Sequence, residues 1–263
     1  MPMVLHARLP SKKTLTRRGF TRALTFSPAL VRVALRAASK LNIGVGTFSY
    51  HTLSIDDMIA QLRANGISEV EMSRGEFMLI QPPSAEMCES ARAKFDRAGI
   101  RCTSYYTATI KNDHHIDLAA RNAKIFGATN VSGDATGRIL KAIDERFTRK
   151  DLTFGIHNHW FAHKFAYESV EDVLHGLSGL SKRIGAMLDV ADRACGHDPV
   201  DTVRRLAAHL KVVHLKDVAG AGAEHNVLLG TGVANIPGVM SELKKVANCY
   251  GRRCLKQFRE SEA

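Results

Sequence analysis

The chain has 263 residues, of which 45% are hydrophobic and 24% charged, a composition typical of soluble globular proteins. This length fits one large domain, and no apolar run approaches the ~20 residues that span a bilayer, so no membrane span is expected. The net charge is +11, but residues 1–40 carry nine Lys or Arg and no acid, which leaves +2 for residues 41–263. A nearly neutral body argues against a polyphosphate binder, so no nucleic-acid partner is expected.

Residues 1–40 form a basic leader. Within it, Thr16-Arg17-Arg18-Gly19-Phe20 resembles the twin-arginine export signature, and a mildly apolar stretch, 23–38, follows. Arg22 directly precedes that stretch and Arg32 and Arg36 interrupt it, so a disordered basic tail or a start codon placed too far upstream stays open as the other interpretation. The protein is expected to be periplasmic or exported if the leader is functional, and cytoplasmic otherwise.

From Leu41 onward, short β-rich runs alternate with helical ones. Strands are predicted at 42–47, 67–72, 100–106, 128–134, 152–159, 183–189, 211–216 and about 251–257. Helices are predicted near 55–65, 84–98, 113–126, 138–148, 169–180, 198–209 and 235–247. Eight strands alternating with helices predict an α/β fold with a parallel sheet. The count, and the lack of a convincing dinucleotide fingerprint, favour a closed (β/α)8 TIM barrel, a single domain over residues 41–263.

Helix boundaries are marked by capping residues. Ser54 and Ser84 precede helical runs and are typical N-caps. Gly66, Gly99 and Gly127 stand where helices should end, immediately before the next strand. These signals support the predicted alternation.

Candidate site residues follow from the position and parity of the strands. In a barrel, functional residues lie at the C-terminal ends of strands, and side chains alternate between the interior and the surrounding helices. The residues predicted to reach one cavity in this way are Glu71, His157, His159, Asp189, His214 and Lys216. Imidazoles with carboxylates suit a divalent transition metal. Each residue also has a structural explanation, such as pairing of Glu71 with Arg74.

Four motifs carry a resemblance to a known family. They are HNHWF at 157–161, LDV…GHDPV at 188–200, VVHLKD at 212–217 and LLGTGVANIPGVM at 228–240. In this order they resemble the xylose-isomerase-like sugar phosphate isomerase/epimerase family, also called the AP endonuclease 2-like TIM barrel superfamily. The similarity runs from about Ile43 to Val246.

The resemblance implies a metal held by an acid or His on strand five, an Asp on strand six, a His on strand seven and a Glu on strand eight. These map onto His157, Asp189, His214 and, by a shifted register, Glu260. Two departures stand out: Ala191-Asp192 replaces a common Gly-His, and the last strand is degenerate, with no acid from 252 until Glu260. The fourth ligand is therefore Glu260 or absent.

By this resemblance the chain is expected to be a metal-dependent sugar or sugar phosphate isomerase/epimerase that moves a proton next to a carbonyl through an enediolate. Glu71, His159 and Lys216 are the acid–base or substrate-orienting candidates. The expected cofactor is a divalent metal (Mn, Zn, Co, Fe or Mg), and the expected partner is a small-molecule sugar or sugar phosphate. The patterns favour no particular oligomeric state. Alternatives are a keto-sugar dehydratase or lyase, and a non-catalytic carbohydrate-binding paralogue that lost the strand-eight acid.

Overall fold

The structure is a computed structural model. It describes residues 41–263 except 160–165, 191–196, 221–222, 224–225, 251–254 and 257–263, and it describes only the backbone of 247–250 and 255–256. The basic leader, Ala191-Asp192 and Glu260 lie outside the described residues. The export signal and the strand-eight ligand therefore stay predictions.

Eight parallel strands close into a barrel, which confirms the predicted fold class. Their bounds are β1 Val45–Gly46, β2 Glu69–Met72, β3 Arg101–Thr109, β4 Asn130–Asp134, β5 Thr153–His157, β6 Ile184–Asp189, β7 Leu210–Leu215 and β10 Leu255–Lys256. Val45 pairs with both Val70 of β2 and Lys256 of β10, which closes the sheet. The sequence did not predict the short antiparallel pair that follows β7, which consists of β8 Asp217–Val218 and β9 Asn226–Val227.

All of the predicted helices are present. They are α1 Ile55–Ala64, α2 Ala85–Arg97, α3 Asp113–Phe126, α4 Gly137–Lys150, α5 Val170–Gly176, α6 Pro199–Leu206 and α7 Ile236–Tyr250, and two 3-10 turns lie at Thr47–Tyr50 and Gly75–Phe77. Ser54 and Ser84 accept hydrogen bonds from the backbone of α1 and α2, as their N-cap positions predict. Gly127 ends α3 at a φ of 72°, where a side chain would be strained. Within the described part of the chain, no helix has the length and apolar character needed to cross a membrane.

The strands bury alternate side chains on opposite faces, as predicted. Val70, Phe154 and Val213 belong to the large core between the strands and the helices. Met187 and Val212 pack instead in a small separate cluster with Tyr106.

Asp217 organises the loop after β7. In the structure its buried carboxylate accepts hydrogen bonds from the backbone N–H groups of Val218, Gly230, Gly232 and Ala234. A Cβ on Gly232 would lie 2.4 Å from Asp217 Oδ1, so glycine is needed for this close approach.

Replacing Asp217 with Ala should lower the free energy of unfolding by about 3 kcal/mol, because buried N–H donors lose a charged acceptor. Denaturant unfolding of the full chain measures this loss. Asp56→Ala is the matched control, since Asp56 is 69% exposed and pairs with Lys94 at the surface. The control should stay within about 0.5 kcal/mol of the wild type. Equal losses in both variants would contradict the role assigned to Asp217.

Candidate functional site

The predicted site residues converge at the C-terminal ends of neighbouring strands. His157 ends β5 and pairs in register with Met187 of β6, and Asp189 of β6 pairs in register with His214 of β7. The His157 ring centroid lies 4.1 Å from that of His159 and 6.3 Å from that of His214. Three separate strands thus bring their polar ends to one region of the barrel, as the strand-end rule predicts.

His157 is buried and has one unsatisfied ring nitrogen. Its Nδ1 lies 3.1 Å from the Tyr106 hydroxyl, and its Nε2 lies 3.8 Å from Asp189 Oδ2, beyond hydrogen-bonding distance. Nε2 is one of three buried side-chain polar atoms in the described residues that make no hydrogen bond. Burial lowers the pKa of His157 to about 4, so the ring is neutral at pH 7. A neutral ring that donates from Nδ1 to Tyr106 presents a free lone pair at Nε2, as a metal ligand must.

His157 also belongs to a group of potential metal ligands. His159 Nε2 lies 2.7 Å from Asp134 Oδ1, and one ligand atom each from Asp134, His157 and His159 lie within 4.8 Å of one another. Two imidazoles and a carboxylate are a ligand set that suits Zn²⁺ and related ions at bonds of about 2.1 Å. The unsatisfied Nε2 of His157 and this donor set fit a divalent ion.

Asp134 was not among the residues predicted from the sequence. It is the last residue of β4 and also closes the run predicted as a strand at 128–134. The strand-end rule that selected Asp189 would have selected Asp134 as well. Its partner His159 lies two residues beyond the end of β5, so their contact depends on the path of the chain after the strand.

Lys216 and Asp189 form an ion pair. Lys216 Nζ contacts Asp189 Oδ2, and the two side chains are 22% and 8% exposed. Burial alone would raise the pKa of Asp189, but the Lys216 ammonium outweighs it and holds that pKa well below its usual range. Asp189 is therefore a carboxylate whose charge is already compensated from within the chain.

Asn158 ties the ends of β5 and β6 together. Its Oδ1 accepts a hydrogen bond from Asp189 N at 2.9 Å, and its Nδ2 donates to Asp189 O at 3.2 Å. This two-point contact continues the pairing of the strands through a side chain. It fixes the backbone of Asp189 next to His157, and the sequence interpretation did not assign it.

Glu71 and His214 form a second pair deeper in the barrel. His214 Nε2 lies 2.5 Å from Glu71 Oε2, and Ser104 Oγ donates to Glu71 Oε1 at 2.8 Å. Glu71 is fully buried and His214 is 4% exposed. The alternative pairing of Glu71 with Arg74 is wrong, because Arg74 contacts Glu76 and backbone carbonyls instead.

The predicted residues therefore fall into three contacting groups within one barrel end. His157 and His159 lie with Asp134, Asp189 lies with Lys216, and Glu71 lies with His214. The structure brings six of the predicted site residues together.

Replacing Glu71 should separate its hydrogen-bonding role from its charge. Glu71→Ala leaves His214 Nε2 and Ser104 without their buried partner and should lower the free energy of unfolding by about 3–5 kcal/mol. Glu71→Gln keeps one oxygen that can accept from His214 Nε2–H, and its NH2 group can donate to Ser104 Oγ, so its loss should be below about 1.5 kcal/mol. Chemical denaturation compares the two variants. A larger loss for Gln than for Ala would contradict the pairing.

Residues 134–249 match a family model described as a xylose isomerase-like TIM barrel. This match confirms the resemblance found in the sequence motifs, all four of which overlap the matched region. No curated protein matches the chain by sequence at a significant level.

Solved structures with the same fold cover most of the chain. The probable 3-DHS dehydratase AsbF from Bacillus anthracis superposes with a TM-score of 0.67 at 14% identity, covering 84% of this chain and 94% of its own. A D-tagatose 3-epimerase-like protein gives a TM-score of 0.67 at 15% identity, covering 84% and 91%. The IolI protein, which was solved with a bound zinc atom, gives 0.59 at 10% identity, covering 84% and 90%. At these identities the likeness shows the fold.

Proposed function

Since the chain carries a xylose isomerase-like TIM barrel, we propose that it is a metal-dependent isomerase or epimerase of a keto-sugar or its phosphate. The match to the family model and the neighbouring structures with epimerase and dehydratase names support an enzyme of this superfamily. Epimerases and dehydratases of this kind share one chemical step, the removal of a proton from a carbon next to a carbonyl, and we propose this step for the chain.

One observation carries the proposal. His157 has a buried Nε2 without a hydrogen bond, and it forms with Asp134 and His159 a group of potential ligands within 4.8 Å of one another, at the end of the barrel where such enzymes place their sites. A buried imidazole nitrogen without a hydrogen bond lowers the stability of the folded protein. A bound ion that takes up the lone pair of this nitrogen would remove that loss. His157 also belongs to the ligand set implied by the family resemblance (His157, Asp189, His214 and Glu260), so both assignments include it.

The residues of the chain divide the chemistry between binding and proton transfer. Residues of this region would hold a divalent ion, which would supply positive charge to stabilise an enediolate. Lys216 carries a second positive charge into the same region and can orient a carbonyl or hydroxyl oxygen of the sugar. Glu71 contacts Nε2 of His214. When this nitrogen carries the hydrogen and donates it to Glu71, the other ring nitrogen, Nδ1, has a lone pair that can accept a proton.

A dehydratase is the second candidate, because it begins with the same proton removal and then expels a neighbouring hydroxyl. The structural similarity to a protein named as a probable dehydratase supports this second candidate. Both reactions, unlike simple sugar binding, exchange a carbon-bound hydrogen with solvent.

Hydrogen exchange tests the reaction class directly. The full chain, supplied with Mn²⁺ or Zn²⁺, is incubated in D₂O with a panel of ketoses and keto-sugars, and proton NMR follows the carbon next to the carbonyl. Exchange with an altered configuration supports an epimerase or isomerase, and exchange with loss of water supports a dehydratase. Binding without exchange across the panel would leave the non-catalytic paralogue as the better interpretation and would overturn the proposal.

Removing His157 tests metal dependence under either ligand assignment. His157→Ala should lower the bound divalent ion, measured by elemental analysis of the full chain, from near-stoichiometric to below about a tenth, since losing one ligand costs at least the 10–100-fold seen for supporting residues. His114→Ala on the exposed start of α3 is the control and should keep the wild-type content. Equal metal content in both variants would exclude His157 as a ligand.

A further inference from the structure

We infer that Asn158 is a positioning residue of the metal site, because its side chain sets where Asp189 lies relative to His157. The inference rests on the proposed metal-dependent function and deepens it. Asn158 follows His157 directly in the chain, and it is only 2% exposed. Neither the strand pattern nor the family resemblance assigned it a role.

The first argument is the way in which the pairing of β5 and β6 ends. The two strands stay in register up to the pair of His157 with Met187, where β5 ends. β6 continues for two more residues, to Asp189. There the side chain of Asn158 accepts a hydrogen bond from Asp189 N at 2.9 Å and donates one to Asp189 O at 3.2 Å. One side-chain amide thus acts in place of a backbone partner beyond the end of β5.

The second argument is that asparagine suits this contact. The contact needs one donor and one acceptor at a fixed spacing, which the side-chain amide supplies and a carboxylate does not. Both hydrogen bonds go to backbone atoms of Asp189, so neither of them uses its carboxylate. The carboxylate contacts Lys216 in the structure. It can therefore turn toward another partner while Asn158 keeps the backbone in place.

The third argument is the distance that this contact controls. His157 Nε2 lies 3.8 Å from Asp189 Oδ2. Two ligand atoms bound to one ion at about 2.1 Å lie at most about 4.2 Å apart, so the two atoms are spaced as ligands of a shared ion can be. His157 and Asp189 both belong to the ligand set that the family resemblance implies. Asn158 is bonded covalently to the first residue and through hydrogen bonds to the second, so it links the backbones of both.

A positioning role has a consequence that a purely structural role lacks. Residues that orient a metal ligand typically contribute 10–100-fold to metal affinity, although they do not touch the ion. Loss of the Asn158 side chain removes no ligand atom, yet it should weaken binding because Asp189 is no longer held at its distance from His157. A purely structural asparagine would affect the stability of the fold and leave the affinity of the folded protein unchanged.

The test compares two buried asparagines. Asn158→Ala removes the contact with Asp189. Asn122→Ala is the matched control, since Asn122 is fully buried on α3, accepts from Arg121 Nε and donates to the Tyr105 hydroxyl, each at 3.0 Å. Both variants lose two side-chain hydrogen bonds and should show similar decreases in melting temperature. Zn²⁺ affinity is measured by calorimetry on the metal-free full chain, at a temperature where both variants are folded.

We expect Asn158→Ala to weaken Zn²⁺ binding about 10–100-fold and Asn122→Ala to change it less than about threefold. In the metal-free protein, the amide hydrogen of Asp189 should exchange with solvent faster in Asn158→Ala than in the wild type or in Asn122→Ala, as measured by NMR. If Asn158→Ala does not fold, Asn158→Gln replaces it. This variant keeps an amide but displaces it by one methylene, so Zn²⁺ binding should weaken at least about tenfold.

The outcomes separate this inference from the proposed function. Wild-type Zn²⁺ affinity in the folded Asn158 variant would overturn the positioning role and leave the proposed function standing. Equal weakening in Asn158→Ala and Asn122→Ala would also overturn it, because affinity would then follow stability alone. If the wild-type chain binds no divalent ion, metal dependence fails and this inference fails with it. Hydrogen exchange of the sugars in D₂O then decides whether the proton-transfer reaction survives.

Discussion

Closure of the parallel barrel forces every second side chain of its strands into one shared interior, and charged groups placed there need partners. A buried carboxylate or ammonium without a partner costs several kcal/mol, more than a typical mutation and a large part of the stability of a domain. The chain meets this requirement with three contacts: Glu71 with His214, Asp189 with Lys216, and Asp134 with His159. These contacts determine which atoms of each residue are left to bind a ligand.

His157 stands apart from this pattern. It lies between the three pairs, contacts Tyr106 through Nδ1 and keeps Nε2 without a hydrogen bond. A buried polar atom without a hydrogen bond is costly in a folded protein, and a bound ion or water is one way to satisfy it. Burial also lowers the pKa of His157, so the ring is neutral at pH 7 and keeps a lone pair on one ring nitrogen.

The backbone arrangement around His157 explains the His-Asn-His sequence. Asn158 points to the neighbouring strand and holds the backbone of Asp189 through both its N–H and its carbonyl. The flanking His157 and His159 rings meet edge to face. Substitution at Asn158 would therefore act on two site residues through geometry alone. The Asp217 carboxylate has a similar task one loop away, where it gathers four backbone N–H groups and fixes the start of the segment that leads to α7.

Local patterns were sufficient for the framework of the fold. Alternation of residue types along 67–72, 152–159 and 211–216 identified the inward-facing positions, and Ser54, Ser84 and Gly127 marked helix ends, because these features depend on a few consecutive residues. The β8–β9 hairpin was missed since its strands have two residues each, too short for any periodicity to appear. Asp134 was missed although the strand-end rule applied to it.

By itself, the sequence determined the closed α/β barrel, the residues that reach its C-terminal end and the family resemblance carried by the four motifs. Only the tertiary structure decided which of those residues contact one another. Asp189 and His214 are equally good ligands as residue types, but in the structure Asp189 contacts Lys216, His214 contacts Glu71 and Asp134 contacts His159. Such pairings depend on distances between strands far apart in the chain, and residue type and spacing along one strand do not encode those distances.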